Sequence, residues 1–197
     1  SHVGDIHITT LIEPERAAHS TEAGARVFSA MASIIFEKLH ADVRAPQRGT
    51  AGSAGYDLSA YIAARSVRIW HDGAMHERPA IENNGVFALT LAPGEKALVP
   101  LGFKARLPEG HEAQIRPRSG TSVKTDLVIA NAPGTVDADY ADEWCVPVKN
   151  GGVFPLVITH GERIAQMIVS RFEPVDFSDG TVERSTDRAG GFGSTGR

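Results

Sequence analysis

From Ile34 onward, apolar and polar positions trade places in short bursts, over residues 34–39, 66–70, 85–91, 96–101, 103–107 and 112–116, then 127–130, 144–150, 153–158 and 164–172. Runs of this length, rich in β-branched and aromatic residues, predict strands and not helices. Turn-forming pairs punctuate them: Pro93-Gly94, Pro108-Glu109-Gly110, Asn83-Asn84-Gly85 and Gly151-Gly152. Proline presets a negative φ and glycine permits a positive one, so the connections read as tight turns between antiparallel neighbours. Strands at this spacing predict a sandwich or barrel, and the missing strand-helix alternation argues against a doubly wound α/β sheet.

The two ends depart from this pattern. Residues 1–30 are rich in alanine, histidine and charge and lack strand alternation, so they read as an N-terminal extension. Pro14-Glu15 can open a helix there, with Arg26, Val27, Met31 and Ile34 forming a ragged stripe. Ser1-His2 reads as a cloning remnant and Met31 as the start of the folded unit, residues 31–184. Residues 185–197 carry Gly190-Gly191-Phe192-Gly193-Ser194-Thr195-Gly196, and the backbone entropy of so many glycines predicts a mobile tail.

Composition narrows the function classes. The 197 residues suit one decorated domain, and no apolar stretch is long enough to span a bilayer. The net charge of -4 gives no broad positive field, so neither stable nucleic-acid binding nor a membrane partner is expected. Cys145 is the single cysteine, which excludes an intrachain disulfide framework and fits a reducing cytoplasm. Eight histidines are dispersed without zinc-type spacing, and His71 and His76 read as solvent-facing.

Five segments remain as candidates for chemistry. Ala54-Gly55-Tyr56-Asp57-Leu58 sets a carboxylate among small and apolar residues, and alone reads as an Asx-type turn. Arg116-Pro117-Arg118-Ser119-Gly120 gathers guanidiniums, a hydroxyl and unencumbered N–H groups of the kind phosphate oxygens accept from, or else is an exposed basic turn. Residues 131–140, with Asn131, Gly134, Val136, Asp137 and Tyr140, are expected to form a hairpin across which Asn131 and Tyr140 face one another, open to a planar heterocycle. Arg163 and Gln166 stand at the start of an apolar run, where polar groups need partners. The tail lacks the Gly-Lys-Ser/Thr ending of a P-loop, so Arg188, Phe192, Ser194 and Thr195 read instead as a flap over a ligand.

In this order the five segments resemble the five motifs of the trimeric dUTPase family, over residues 34–197. The resemblance implies a jelly-roll β domain, a homotrimer with active sites at subunit boundaries, and hydrolysis of dUTP to dUMP and pyrophosphate with Mg²⁺. That reaction limits uracil in DNA and supplies dUMP for dTMP synthesis. By the same resemblance Asp57 organises metal-bound waters and a phosphate-facing arginine, so Mg²⁺ is held mainly by substrate phosphates and water. Arg118, Ser119 and Gly120 contact the α and β phosphates, as does Gln166. Asn131 and the backbone of Gly134 and Val136 read uracil, Tyr140 packs under the deoxyribose and excludes a 2'-hydroxyl, and Asp137 holds the attacking water. Arg188, Phe192, Gly193, Ser194 and Thr195 grip the γ phosphate and cover the base.

The sequence departs from the family pattern in places. Ala141-Asp142-Glu143 stands where Arg-Gly-Glu is frequent, one residue fewer separates Arg188 from Gly190, and residues 63–87 are inserted relative to compact members. A dCTP deaminase of related fold and a non-catalytic jelly-roll interaction module are the competing readings. The tail and Asp137 favour the pyrophosphatase over the first, and the full set of phosphate contacts favours it over the second.

Overall fold

The computed structural model describes residues 32–185. Its strands, in chain order, are β1 (Ile35–Lys38), β2 (Gln47–Arg48), β3 (Tyr56–Ser59), β4 (Ser66–His71), β5 (Ala74–Pro79), β6 (Ile81–Asn83), β7 (Val86–Leu91) and β8 (Lys96–Pro100). There follow β9 (Phe103–Arg106), β10 (His111–Arg116), helix α1 (Ser119–Lys124), β11 (Leu127–Ile129), β12 (Gly134–Val136), β13 (Cys145–Asn150), β14 (Leu156–Thr159) and β15 (Arg163–Arg171).

Two five-stranded sheets dominate, in the orders β12-β10-β15-β3-β2 and β11-β13-β8-β4-β5, joined by a three-stranded β14-β7-β6 sheet and a β1-β9 pair. Every pairing is antiparallel. Non-consecutive neighbours in each sheet produce the expected all-β jelly roll. The alternation read in the sequence is the alternation of burial: in β13 each second residue, Val146, Val148 and Asn150, is buried. Leu58, Ile69, Val99, Ile115, Val148, Ile158 and Met167 from the several sheets meet in one apolar cluster with Trp144. Burying a side chain of this size is worth about 1.5–3 kcal/mol, which makes the shared cluster the main support of the fold.

Segment 63–87 contributes to two hairpins, one in the β11-β13-β8-β4-β5 sheet and one in the β14-β7-β6 sheet. β4 and β5 turn through Asp72 and Gly73, both at positive φ, which suits the twist of a two-residue hairpin loop. β4 joins β8, so β5 becomes the sheet's edge, while β6 becomes the edge beside β7. His71 and His76 are exposed, as expected. Arg78 is not free in solvent: it grips Glu95 with two hydrogen bonds, at 2.6 and 2.7 Å, and donates to the Thr90 carbonyl.

The structure differs from the sequence-based expectation at several short elements. The Asp57 segment is a strand, not an Asx turn, because β3 is held on both flanks by β15 and β2. Residues 131–140 do not form a hairpin: β11 pairs with β13 in one sheet, whereas β12 pairs with β10 in the other. The chain therefore changes sheets at Asn131–Pro133. The strand expected over 153–158 begins only at Leu156, since the buried Asn150 side chain donates to the Phe154 carbonyl and accepts from the Gly152 N–H, shaping the preceding residues into a turn. The helix reading around Pro14 and the tail from Thr186 onward lie outside the described residues.

Glu95 gives the fold an acid dependence. The Arg78 guanidinium holds its carboxyl below the usual carboxylate range, with further help from the Ala92 N–H and against the opposing effect of burial. A depressed carboxylate stabilises the fold above its unfolded pKa, and that contribution is lost as pH falls through the lower folded value. Glu95→Gln is expected to cost about 1–3 kcal/mol at neutral pH by stranding Arg78. In denaturant melts the gap to wild type should narrow as acidification takes the pH below the ordinary carboxylate range.

Candidate functional site

The carboxylate of Asp57 accepts from two arginines that are distant in sequence. Arg118 Nε donates to its Oδ1 at 2.7 Å, and Arg163 Nη1 donates to its Oδ2 at 2.9 Å. Strand order explains the meeting. Asp57 on β3 lies opposite Gln166 on β15, and Gln166 lies opposite Arg116 on β10, so three polar residues form one row on the outer face of the sheet. Arg118 follows that row by two residues. It precedes helix α1, whose first residues, Ser119 and Gly120, are exposed. Arg163 precedes the register shift between Arg163 and Ala165, which turns its side chain toward Asp57 while Ile164 and Ala165 stay buried.

Gln166 is fixed by its Nε2 donating to the Pro117 carbonyl at 2.8 Å. Gly55 makes room for it: a Cβ at that position would clash with the Gln166 Oε1. The arginine cluster borders two cavities. One, of about 510 Å³, is lined by Arg118, Gly120, Thr121, Lys124 and Arg163 among others. The other, of about 520 Å³, reaches from Asp57 and Arg163 to Arg48, Tyr61 and His160. Asp57 keeps both guanidiniums near these openings, partly desolvated, where planar donors suit phosphate oxygens. Arg163 is the member of a candidate segment to which the sequence assigned no role in the site. Its spacing from Asp57, 106 residues, carries no local signal.

The second group of candidates lies elsewhere on the same sheet. A Cβ on the buried Gly134 would meet the Asn131 amide at 2.9 Å, so the bare glycine lets that amide lie against the backbone. Asp137 is exposed just after β12, and its carbonyl accepts from the Tyr140 N–H at 3.2 Å. The Tyr140 hydroxyl donates to the Glu143 carbonyl at 3.3 Å, leaving the ring 41% exposed. Burial, with the nearby Cys145 and Asp142, pushes that hydroxyl above its usual range, so it remains a donor. Burial likewise raises the Cys145 thiol to about 11, and it stays protonated and a poor nucleophile.

The two groups do not converge within one chain. Val136 lies opposite Ala113 on β10, three residues along that strand from Arg116 in the Asp57 row, and β12 is three strand positions from β3. At ~4.8 Å between strands and ~3.3 Å per residue the separation is ~17 Å, and Asp137 lies one residue further on. Asn131, Gly134, Val136, Asp137 and Tyr140 thus form one half, and Asp57, Arg118, Ser119, Gly120 and Gln166 another. Arg188, Phe192, Gly193, Ser194 and Thr195 are outside the described residues.

Among the described residues no group of three or more His, Cys, Asp or Glu side chains could hold a metal ion. Both Asp57 oxygens already accept from arginine, and this donor set suits an ion such as Mg²⁺ that keeps its waters and binds through phosphates, touching protein only indirectly. No described helix is long and apolar enough to cross a membrane.

Fold and site together define an all-β jelly-roll protein with two surface arginines organised by one carboxylate. The family model described as dUTPase matches residues 87–196, more than half of the chain. The deoxyuridine 5'-triphosphate nucleotidohydrolase of Rhizobium rhizogenes is 47% identical over 143 residues, which cover 72% of this chain and 86% of that protein. This chain belongs to the dUTPase family. Solved structures agree in fold. The dUTPase of Staphylococcus bacteriophage 80alpha, in a Gly-to-Ser mutant with dUpNHpp, has a TM-score of 0.65 at 23% identity, covering 83% of this chain and 98% of that one. An Asp-to-Asn mutant of the dUTPase of phage phi11 of S. aureus, described with a structural Mg(II) ion, has a TM-score of 0.60 at 21% identity, covering 78% and 99%.

Gly55→Ala is expected to cost no more than about 1 kcal/mol, because the atom that must yield is the far end of a flexible side chain. It should nevertheless break the Gln166–Pro117 hydrogen bond. A denaturant melt reads the first outcome and a crystal structure of the variant reads the second.

Proposed function

We propose that this chain hydrolyses dUTP to dUMP and pyrophosphate by attack of water on the α phosphorus, at sites completed between copies in a homotrimer. The observation that carries the reading is the Arg118–Asp57–Arg163 arrangement beside the 510 Å³ cavity, in a chain of the dUTPase family. Two guanidiniums held by one carboxylate offer donors to a triphosphate without having to be ordered when it binds, which saves entropy at the moment of reaction. The ~17 Å between the two halves is too great for Asp57 and Asp137 of one chain to serve a single phosphorus atom, and this supports assembly of the site from different copies.

On this reading, Arg118, Ser119, Gly120 and Gln166 bind the phosphates. Asn131 and the backbone at Gly134 and Val136 pair with uracil, where cytosine would present the wrong donor pattern and leave buried groups unpaired at about 1–3 kcal/mol each. Tyr140 packs under the deoxyribose. Asp137 orients the water for in-line attack and takes its proton as the bond to phosphorus forms, while the electron pair of the breaking bond leaves with pyrophosphate. Bound through the phosphates and water, with Asp57 in indirect contact, Mg²⁺ supplies compensating charge. Arg188, Phe192, Gly193, Ser194 and Thr195 close over the γ phosphate and base and exclude competing water. The single thiol suits a reducing cytoplasm, where the product dUMP serves dTMP synthesis and uracil is kept from DNA.

Asp137→Asn is expected to bind a non-hydrolysable dUTP analogue normally and to lose turnover by on the order of 10²- to 10⁴-fold. Near-normal turnover in a rapid pyrophosphate-release assay removes Asp137 from the role of base. Truncation after Thr186 should leave the fold and the oligomer intact by circular dichroism and light scattering, yet with little activity. Full activity in that truncation contradicts the lid.

A further inference from the structure

The segment after Tyr140 is fastened by a residue from outside all five motifs. Arg65, at the neck of the inserted hairpins, donates through Nη1 and Nη2 to the two carboxylate oxygens of Glu143 at 2.6 and 2.8 Å. The Gly102 N–H donates to the same carboxylate at 2.9 Å. Arg65 is itself fixed by its backbone: its N–H donates to the Ile62 carbonyl, and its carbonyl accepts from the Ala80 N–H at 2.9 Å, closing the neck. Both side chains are more than two-thirds covered. Burial tends to raise the Glu143 carboxyl, but the Arg65 hydrogen bond and charge, with the Gly102 N–H, hold it below the usual range.

Glu143 in turn locates the ring. Among the described residues the Tyr140 hydroxyl has one hydrogen-bond partner, the Glu143 carbonyl. Trp144 is 2% exposed and its backbone N–H donates to the Phe103 carbonyl, so the end of the loop is anchored in the core immediately beyond Glu143. A planar bidentate pair fixes orientation as well as distance. In a loop whose tyrosine ring is otherwise exposed on one side, that pair controls where the hydroxyl's acceptor stands.

We infer that Arg65 is a positioning residue for the nucleoside half of the site: its ion pair with Glu143 sets the Tyr140 ring at the height that admits deoxyribose and rejects a 2'-hydroxyl. The inference rests on the assignment of residues 131–140 to the nucleoside. It also gives the insertion a task, since Arg65 belongs to residues 63–87.

Full-chain Arg65→Ala, Arg65→Lys and Glu143→Gln are compared with wild type for kcat and KM on dUTP and on UTP. Arg65→Ala and Glu143→Gln are expected to lower the dUTP-to-UTP ratio of kcat/KM by on the order of tenfold, chiefly through KM for dUTP. Arg65→Lys, which keeps a charged donor, should restore part of the ratio. A pair that merely staples the hairpins lowers both substrates equally, and an unchanged ratio in folded Glu143→Gln overturns the proposal even if Arg65→Ala does not fold. Asp137→Asn, made with Arg65 intact, separates the two failures: retained turnover there removes the half-site assignment, whereas lost turnover beside an unchanged ratio removes only Arg65.

Discussion

The spacing of strands in the sheet β12-β10-β15-β3-β2 governs what one copy of this chain can do. Backbone hydrogen bonding fixes neighbouring strands ~4.8 Å apart, and the register is pinned by an inward row of Tyr56, Met167, Ile115 and Gly134. With Asp57 on β3 and Asp137 just after β12, no side-chain motion brings both carboxylates to one phosphorus atom. Under the proposed function, the polar groups on the two flanks are two halves of a site, and a second copy supplies the half that one copy lacks. The same hydrogen bonds that stabilise the monomer thus keep the two groups apart, which is what supports the proposed assembly of the site from different copies.

Within each half, charge is arranged for position more than for stability. Asp57 is 24% exposed and Arg163 59% exposed, so the pair contributes at most about 1 kcal/mol to folding. Under the proposed function, its value is that two guanidiniums stand in place before the triphosphate arrives. The Arg65–Glu143 pair is better covered and works on the loop that carries Tyr140. Gly55 and Gly134 serve the two halves in a common way, each leaving space for a carboxamide, of Gln166 and of Asn131 respectively.

Much of this was legible in the sequence because the long strands bury alternate residues. β4, β7, β8, β10, β13 and β15 all fell within one or two residues of their expected limits. So did the short β1, β9 and β11, whereas β5 has six residues and no expected run, because none of its residues is buried and it carries no apolar alternation. The other strands without an expected run, β2, β3, β6 and β12, have two to four residues each and form where a neighbouring strand supplies hydrogen-bond partners. The change of sheet at Asn131–Pro133 was read as a hairpin because turn residues mark a reversal without naming the strand that receives it. Asp57, Arg118, Gln166, Asn131, Asp137 and Tyr140 could be picked out by their motifs; Arg163 stood in a candidate segment but its partner, 106 residues away, could not be named, and Arg65, 78 residues from its partner, gave no signal.

The most direct measurement mixes two inactive full-length variants, Asp57→Ala and Asp137→Ala, after unfolding and joint refolding. If each site takes one half from each of two copies, random assortment restores about a quarter of wild-type dUTP turnover, although each variant alone is inactive. A mixture that refolds into oligomers and stays as inactive as its parents, or a wild-type chain fully active as a monomer, contradicts the account.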